Sequence, residues 1–484
     1  MNTPLRRLAT VVVVMFVVLI GGVTWVQFGQ ASALNNDTRN VRTLYREYGK
    51  PRGPIVVAGQ AIASSTPSAD AFGYQRSYAN GPLYSSVTGF YSVVNKASGL
   101  EAAENDVLTG TADSLFLTRL QDLITGKQPL GSSVELTINP AAQQAAWDAL
   151  GDQRGAVVAI DPTTGAILAM VSKPGFDPNV LASHDTAAAG AAYKELLAAD
   201  GNPLLNTATK ETYAPGSTFK LITAAAALES GRYAADTSVP SPTVLDLPQT
   251  SATITNFGGE TCGDGTTTTL ADALRISCNT AFAQLGMDLG QDALAAQADK
   301  FGFDDDGLTI PMGAAKSVFP AGLDAPHTAQ SAIGQFSVRV TPLQMAMVSA
   351  AIANGGTLMK PYLVQTVRTA DLDLISEASP TVLSTAVSPT TAATLRDMMV
   401  GVVDSGTGTA AKISGVQVAG KTGTAQTTDA SAPHAWFTAF APADAPRVAV
   451  AVLVEHGGNL GNEATGGRVA APIAKAVMQA VLGK

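Results

Sequence analysis

Residues 213–231, YAPGSTFKLITAAAALESG, open on turn residues, become apolar within a few positions and carry one cation near their start, Lys220. The run from Leu221 to Leu228, opened by Pro215 and Gly216 and closed by Gly231, predicts a helix buried on most of its surface. Such a helix belongs inside a large domain. One reading makes Ser217 an N-cap and Lys220 a solvated first-turn residue. The sign of the charge argues against it. A helix N-terminus is partially positive, so a cation there costs a few tenths to about 1 kcal/mol, and capping usually recruits Glu or Gln. Ser and Lys at i and i+3 share a helix face, which brings the amine within reach of the hydroxyl. Burial and the helix dipole both favour a neutral amine, a base able to activate that hydroxyl. Ser-x-x-Lys arises by chance roughly once in a chain of this size, so the pair carries weight only in company.

The chain has 484 residues, enough for two or three domains. Hydrophobic residues make up 46% and charged residues 14%, which excludes a disordered chain. The net charge of −9 is spread along the chain, with no basic cluster beyond the N-terminal tip, which argues against nucleic-acid binding. His184, His327, His434 and His456 are scattered, and there is neither a His-Glu-x-x-His helix nor a Cys-x-x-Cys pair. No catalytic metal and no cofactor are expected. The Gly-Thr-Gly-Thr at 406–409 is too short and generic for a phosphate loop.

Leu8 to Phe28 form one uncharged apolar stretch behind Arg6 and Arg7, long enough to span a bilayer with residues 1–7 left in the cytoplasm. Ala31-Ser32-Ala33 resembles a signal-peptidase site, but an apolar core near 20 residues exceeds the ~7–15 of a cleaved signal, so an uncleaved anchor is favoured. On either reading the chain beyond residue 30 lies outside the cytoplasm. Oxidising surroundings make Cys262 and Cys278 a candidate disulfide, and a closed loop of about 15 residues would contribute ~3 kcal/mol. Two unpaired buried thiols are the alternative, since sequence does not supply the Cα separation.

Residues 29–140 are polar, rich in Ser, Gly and Tyr, and broken into short apolar segments, which reads as an extended β-rich region. A helix follows at 138–150, then a hairpin at 155–172 turning on Asp161-Pro162-Thr163-Thr164-Gly165. Helical segments are expected at 220–229, 268–276, 280–288, 291–299 and 341–354. Strands are expected at 415–420, 435–441 and 447–457, with a last helix at 469–482. Strands at both ends of a helical middle predict an α+β domain over 141–484 whose sheet is completed by its own C-terminus.

Two further motifs give Ser217 and Lys220 their company. Ser277-Cys278-Asn279 puts a hydroxyl and an amide two residues apart at a break between helical segments, where a plain helix cap is the rival reading. Lys421-Thr422-Gly423-Thr424 closes a strand-like segment, offering charge and hydroxyls to an anion, with a turn bearing a solvated lysine as its rival. Ser-x-x-Lys, Ser-x-Asn and Lys-Thr-Gly in this order match the signature of the penicillin-recognising serine acyltransferases. The chain resembles the class B penicillin-binding proteins, in particular the A type of actinobacteria. The likeness covers the anchor, Arg52-Gly53-Pro54-Ile55, ETYAPGSTFK around Ser217, and SAIGQFSVRVTPLQMAMVSAAIANGG at 331–356.

The resemblance implies a β-lactamase/transpeptidase-like domain with an antiparallel sheet and a helical subdomain, preceded by a pedestal or dimerisation-type domain and a transmembrane helix. It implies a D,D-transpeptidase that cross-links peptidoglycan stems ending in D-Ala-D-Ala and is acylated by β-lactams. Ser217 would attack, Lys220 would take its proton, Ser277 would relay a proton to the leaving amine, and Asn279 would hold Lys220 and the substrate amide. Lys421, Thr422, Gly423 and Thr424 would bind the terminal carboxylate, and the backbone N–H groups of Ser217 and Thr424 would form the oxyanion hole. A membrane glycan polymerase of the shape, elongation, division and sporulation family is the implied partner. A β-lactamase would lack the need for anchor and pedestal, and no convincing Glu-x-x-x-Asn lies between Ser277 and Lys421. A D,D-carboxypeptidase shares the motifs. A β-lactam sensor or scaffold remains the non-enzymatic alternative.

Overall fold

The computed structural model describes residues 2–30, 34, 48–112, 130–426 and 431–484. Helix α1 (Asn2–Thr24) continues as a π-helical turn to Gly29. Over Thr3–Gly29 it is long and apolar enough to cross a membrane, and its most apolar window is nowhere buried against the protein. Ala31-Ser32-Ala33 lie outside the described residues.

The region expected to be extended and β-rich holds strands β1 (Ile55–Val57), β2 (Gln60–Pro67), β3 (Tyr74–Tyr78) and β4 (Ser133–Leu136). Among its described residues are also three short helices that its polar, Gly-rich composition hides: α2 (Gly81–Thr88), with Pro82 in its first turn, α3 (Gly99–Ala103) and α4 (Asn105–Leu108). Their apolar faces are too short to show a helical period, and burial of Leu83, Val87, Leu100 and Leu108 holds them in place. Arg52 and Arg76 flank the fully buried Glu101, Nε to carboxylate, at 2.5 and 2.7 Å. Arg52 thus ties the start of β1 to α3.

Helix α5 (Pro140–Leu150) starts where Asn139 Oδ1 accepts from Ala142 N at 3.1 Å, with Pro140 preset for the first turn. The expected hairpin follows as antiparallel β5 (Gly155–Ile160) and β6 (Ile167–Lys173). The helical middle includes α6 (Lys220–Glu229), α7 (Leu270–Arg275), α8 (Asn279–Leu289) and α9 (Pro342–Ala353). Strands β7 (Val364–Arg368) and β8 (Leu374–Glu377) then leave the helical region and join the N-terminal sheet, in the order β8-β7-β4-β1-β2-β3. That sheet therefore draws strands from both sides of residue 140.

After α10 (Pro389–Ser405) the chain returns as β9 (Ala419–Ala425), β10 (His434–Ala441) and β11 (Val448–Val454), ending in α11 (Ala470–Leu482). The five-stranded antiparallel sheet runs β9-β10-β11-β5-β6, so the C-terminal strands complete a sheet begun at residue 155. Strands β10 and β11 are buried along their whole length, because α11 covers one face and α9 the other, while α5 packs on β5, β6 and α11. Every residue of α9 except Ala353 is buried, which explains a sequence that is apolar apart from Gln344 and Ser349. Strand β9 is the edge, with one side unpaired.

Candidate active site

Three chain segments converge beside β9. The first is the entry to α6. Pro215 and Gly216 open a 3-10 turn, Gly216–Phe219, and α6 begins only at Lys220. Ser217 therefore caps no α-helix, and among the described residues its hydroxyl donates and accepts no hydrogen bond. Gly216 has φ +52, and a Cβ there would stand 2.5 Å from Thr424 O. Gly423 is as tight, since a Cβ would meet Pro215 O and Thr218 Cγ2 at 2.9 Å each. Two glycines thus press the Ser217 turn onto the edge strand, an approach that side chains would forbid. Gly216 N is held by Gly334 O at 2.9 Å.

The second segment is the break between α7 and α8. Ser277 sits there at φ +64, a left-handed conformation that a non-glycine residue adopts at a cost, and Asn279 begins α8. Cys278, at the N-cap position, supplies no side-chain acceptor; Asn256 does so instead, its Oδ1 accepting from Asn279 N at 2.8 Å and Thr280 N at 3.2 Å. Cys278 is bonded to Cys262, which ties this break to the loop behind it. Sequence reading missed Asn256 because nothing in its neighbours marks a cap supplied from another segment.

The third segment is β9. The sequence placed Lys421-Thr422-Gly423-Thr424 at the end of a strand over 415–420, but the strand runs from Ala419 to Ala425 with the motif inside it. Gly and Thr have little strand signal of their own. Pairing with the apolar β10, Lys421 opposite Thr438 and Gly423 opposite Trp436, overrides that composition.

The two lysines meet at one hydroxyl. Lys220 Nζ donates to Ser277 O (2.7 Å), Asn279 Oδ1 (2.8 Å) and Ser277 Oγ (3.3 Å). Lys421 Nζ donates to Ser277 Oγ (2.9 Å) and Thr422 O (2.9 Å). The expected direct Lys220–Ser217 contact is replaced by these bonds, since a fully buried amine needs acceptors and Ser277 and Asn279 supply them. Both amines are fully buried, and among the described residues neither forms an ion pair with a carboxylate. Sharing Ser277 Oγ keeps the two nitrogens within about 6 Å, where two charges repel by about 3 kcal/mol at an effective dielectric near 20. Burial, and secondly the Lys421 charge, drive the Lys220 pKa well below that of an ordinary lysine. Burial lowers Lys421 to about 7. The result is an amine whose charged form is disfavoured, three residues along the same turn from a serine hydroxyl with no hydrogen-bond partner among the described residues, the pairing that general-base activation of an oxygen nucleophile uses.

Thr422 Oγ1 is held by Thr407 Oγ1 at 2.6 Å, so the Gly-Thr-Gly-Thr passage at 406–409 supports this strand. Thr424 is half-buried on the edge. Among the described residues no cluster of three or more His, Cys, Asp or Glu side chains has the arrangement to hold a metal.

Comparison with known proteins agrees with this geometry. The penicillin-binding protein transpeptidase domain matches residues 155–479, and the penicillin-binding protein A dimerisation domain matches 52–134. The peptidoglycan D,D-transpeptidase PbpA of Mycolicibacterium smegmatis is 48% identical over 490 residues, spanning 100% of this chain and 99% of that protein. Its counterpart of the same name in Mycobacterium tuberculosis is 45% identical with the same coverage. The ceftriaxone acyl-enzyme complex of penicillin-binding protein A from M. tuberculosis superposes with a TM-score of 0.87 at 44% identity, over 90% of this chain and 100% of that one. A penicillin G acyl-enzyme of the same protein gives 0.84. With two thirds of its length in the transpeptidase domain and near-complete matches to PbpA, the chain belongs to the class B penicillin-binding proteins.

Proposed function

We infer that the protein is a membrane-anchored peptidoglycan D,D-transpeptidase, acylated by β-lactams, in which Ser217 is the nucleophile. One observation carries the assignment of roles: a fully buried Lys220 amine with no acid partner among the described residues, joined to Lys421 through Ser277 Oγ. Neutral Lys220 takes the Ser217 proton as Ser217 Oγ attacks the penultimate D-Ala carbonyl carbon of a stem peptide. The backbone N–H groups of Ser217 and Thr424 stabilise the oxyanion, with each such donor typically worth a few kcal/mol. The C–N bond breaks, Ser277 passes a proton to the departing D-Ala amine, and an acyl ester remains on Ser217. The amine of a neighbouring stem then attacks that ester, restoring the hydroxyl and forming the cross-link. Thr422 and Thr424 hydroxyls, with Lys421 and the close backbone at Gly423, receive the terminal carboxylate of the donor.

On this reading residues 1–7 form a cytoplasmic tip, 8–28 the anchor, 29–140 a pedestal and 141–484 the catalytic domain, with the catalytic domain on the outer face of the membrane. Arg6 and Arg7 ahead of the apolar stretch support that orientation. Family resemblance supports a membrane polymerase of the shape, elongation, division and sporulation family as the source of the glycan strands. The test is intact mass and peptide mapping of the full chain after penicillin treatment. A long-lived adduct on Ser217, lost in S217A and in K220A, is expected. Wild-type acylation in K220A would remove Lys220 as base, and an adduct on another residue would remove Ser217.

A further inference from the structure

Six residues before Ser217, in ETYAPGSTFK, stands Glu211, and two before Pro215 stands Tyr213. Their side chains meet at the far end of β11, where Glu455 follows Val454. Tyr213 Oη lies 2.5 Å from Glu211 Oε2 and 2.8 Å from Glu455 Oε1. A phenol has one proton and can donate only once. Two ionised carboxylates on the same oxygen would leave one oxygen–oxygen contact with no hydrogen in it. The geometry is satisfied when one carboxyl is protonated and donates to Tyr213 Oη, while Tyr213 donates to the other.

Charge leads to the same count. Glu455 is 4% exposed, and Arg154 Nε pairs with its Oε2 at 2.8 Å. Arg154 also reaches Asp200, which is fully solvated, at 3.4 Å. Thr207 Oγ1 donates to Glu211 Oε2 at 3.3 Å. The His434 ring stands edge-on to Tyr213 at 5.2 Å, with His456 5.0 Å from His434. Burial, His456 and Arg154 lower the His434 pKa to about 4, so it brings no charge at neutral pH. One guanidinium thus faces two carboxylates, and one added proton balances them. Burial raises the Glu455 pKa, the direction that retains such a proton.

We propose that Glu211, Tyr213 and Glu455 hold one shared proton, and that this proton positions the segment leading into the Ser217 turn. The segment is otherwise fixed by its backbone. Tyr213 exchanges two hydrogen bonds with Val340, at 2.9 Å each, and Trp436 Nε1 donates to Ala214 O at 3.0 Å. Tyr213 is thus the side-chain tether for Pro215 and Gly216, whose fit against Thr424 is already without slack. Loss of the shared proton leaves the two carboxylates in mutual repulsion across Tyr213, and the tether loosens. These are positioning residues. Their effect on rate rests on Ser217 being the nucleophile, whereas the proton itself does not.

The test uses the full chain in detergent, as wild type, E211Q, E455Q and Y213F. Infrared difference spectra at neutral pH, wild type minus E211Q and wild type minus E455Q, should each contain a protonated-carboxyl stretch that vanishes on raising the pH. Acylation by a fluorescent penicillin is followed across pH in parallel. Wild type should lose rate on the alkaline side, and E211Q, whose amide is a permanent donor, should run at least threefold faster than wild type there. Y213F, which lacks the bridging oxygen, should be slower than wild type at neutral pH and show a smaller alkaline fall than wild type. Absence of the carboxyl stretch overturns the shared proton. A present stretch with identical pH–rate profiles in wild type and E211Q overturns the positioning role, and peptide mapping on Ser217 separately reports whether the nucleophile assignment has failed.

Discussion

Asn256 offers the sharpest test of how the site is built. It is 7% exposed, and its one Oδ1 serves the backbone N–H groups of Asn279 and Thr280 at 2.8 and 3.2 Å, while Nδ2 donates to Glu260 O at 3.0 Å. Asn256→Ala removes the only side-chain cap of α8 among the described residues and orphans two donors. Losing an N-cap costs about 0.5–2 kcal/mol, and each buried donor left unpaired about 1–3. These descriptions overlap, so a loss of about 2–4 kcal/mol is expected rather than their sum. Asn256→Asp keeps the acceptor, places a favourable charge at the helix N-terminus and loses only the bond to Glu260, which should cost about 1 kcal/mol. The kinetic effect follows from the same contacts, because Asn279 Oδ1 and Ser277 O hold the Lys220 amine. A shift of about 1 Å at a catalytic group costs on the order of a hundredfold, so N256A should slow acylation at least tenfold and N256D by about threefold or less. Urea denaturation and fluorescent-penicillin acylation on the solubilised chain give both numbers. N256A within about 0.5 kcal/mol of wild type, with unchanged acylation, would refute the idea that this cap organises the site.

Three further outcomes follow from the same structure. Gly216→Ala adds a Cβ 2.5 Å from Thr424 O at a backbone φ of +52, so acylation should fall at least a hundredfold. Gly231→Ala, with φ +69 but open space around it, should lose stability alone, and equal acylation in both variants would refute the packing argument. Burial lowers Lys421 from the ordinary 10.5 to about 7, so between those values the unfolded chain binds a proton that the folded one does not. Stability therefore rises with pH across that window, and its penalty is constant below about 7. Lys421→Met should flatten that rise in part, Lys220 retaining its own share; equal slopes in urea midpoints would sink the burial argument. Reducing Cys262–Cys278, separated by 16 residues, should cost about 3 kcal/mol and slow acylation, because Cys278 lies between Ser277 and Asn279. Melting and acylation rates both unmoved by reduction would show that the bridge positions nothing.

The sequence was most informative where a segment's own composition decides its structure. The run from Leu221 to Leu228 is apolar because α6 is buried all round, and Asn139-Pro140 announces α5 through local capping chemistry. The hairpin of β5 and β6 was legible for the same reason, with two apolar runs around a Pro-Gly turn. Legibility fell where distant segments decide. Strand β9 owes its extent to pairing with β10, so its own Gly and Thr residues set the expected end five residues early, at 420 rather than Ala425. Strands β7 and β8 join the N-terminal sheet from more than 200 residues away, as Val367 opposite Val134 does, and no local pattern encodes that pairing. The three motifs picked out residues that the fold brings together, yet Asn256, Thr407 and Gly334, which position them, lie outside those motifs and are tied to them only by their contacts.

The convergence on Ser277 Oγ also says what binding must do. Two buried amines share one hydroxyl with no ion-paired carboxylate among the described residues, so the resting site favours neutral lysines over cations. With Lys421 lowered to about 7, a small gain in negative charge nearby is enough to return its proton at neutral pH. Under the proposed function, the terminal carboxylate of a donor stem arriving at Thr422 and Thr424 would be such a charge. Binding should then be accompanied by proton uptake at Lys421, and the resulting cation, through its Coulombic effect, lowers Lys220 further and keeps it neutral as a base. The same pair of lysines thus separates two roles by position alone. On the proposed roles, the one on the edge strand becomes charged to hold the anion, and the one in the Ser217 turn remains uncharged to take the proton. Calorimetry of carboxylate-bearing ligand binding in two buffers of different ionisation enthalpy measures that uptake directly, and a buffer-independent heat would mean that Lys421 is already charged in the free enzyme.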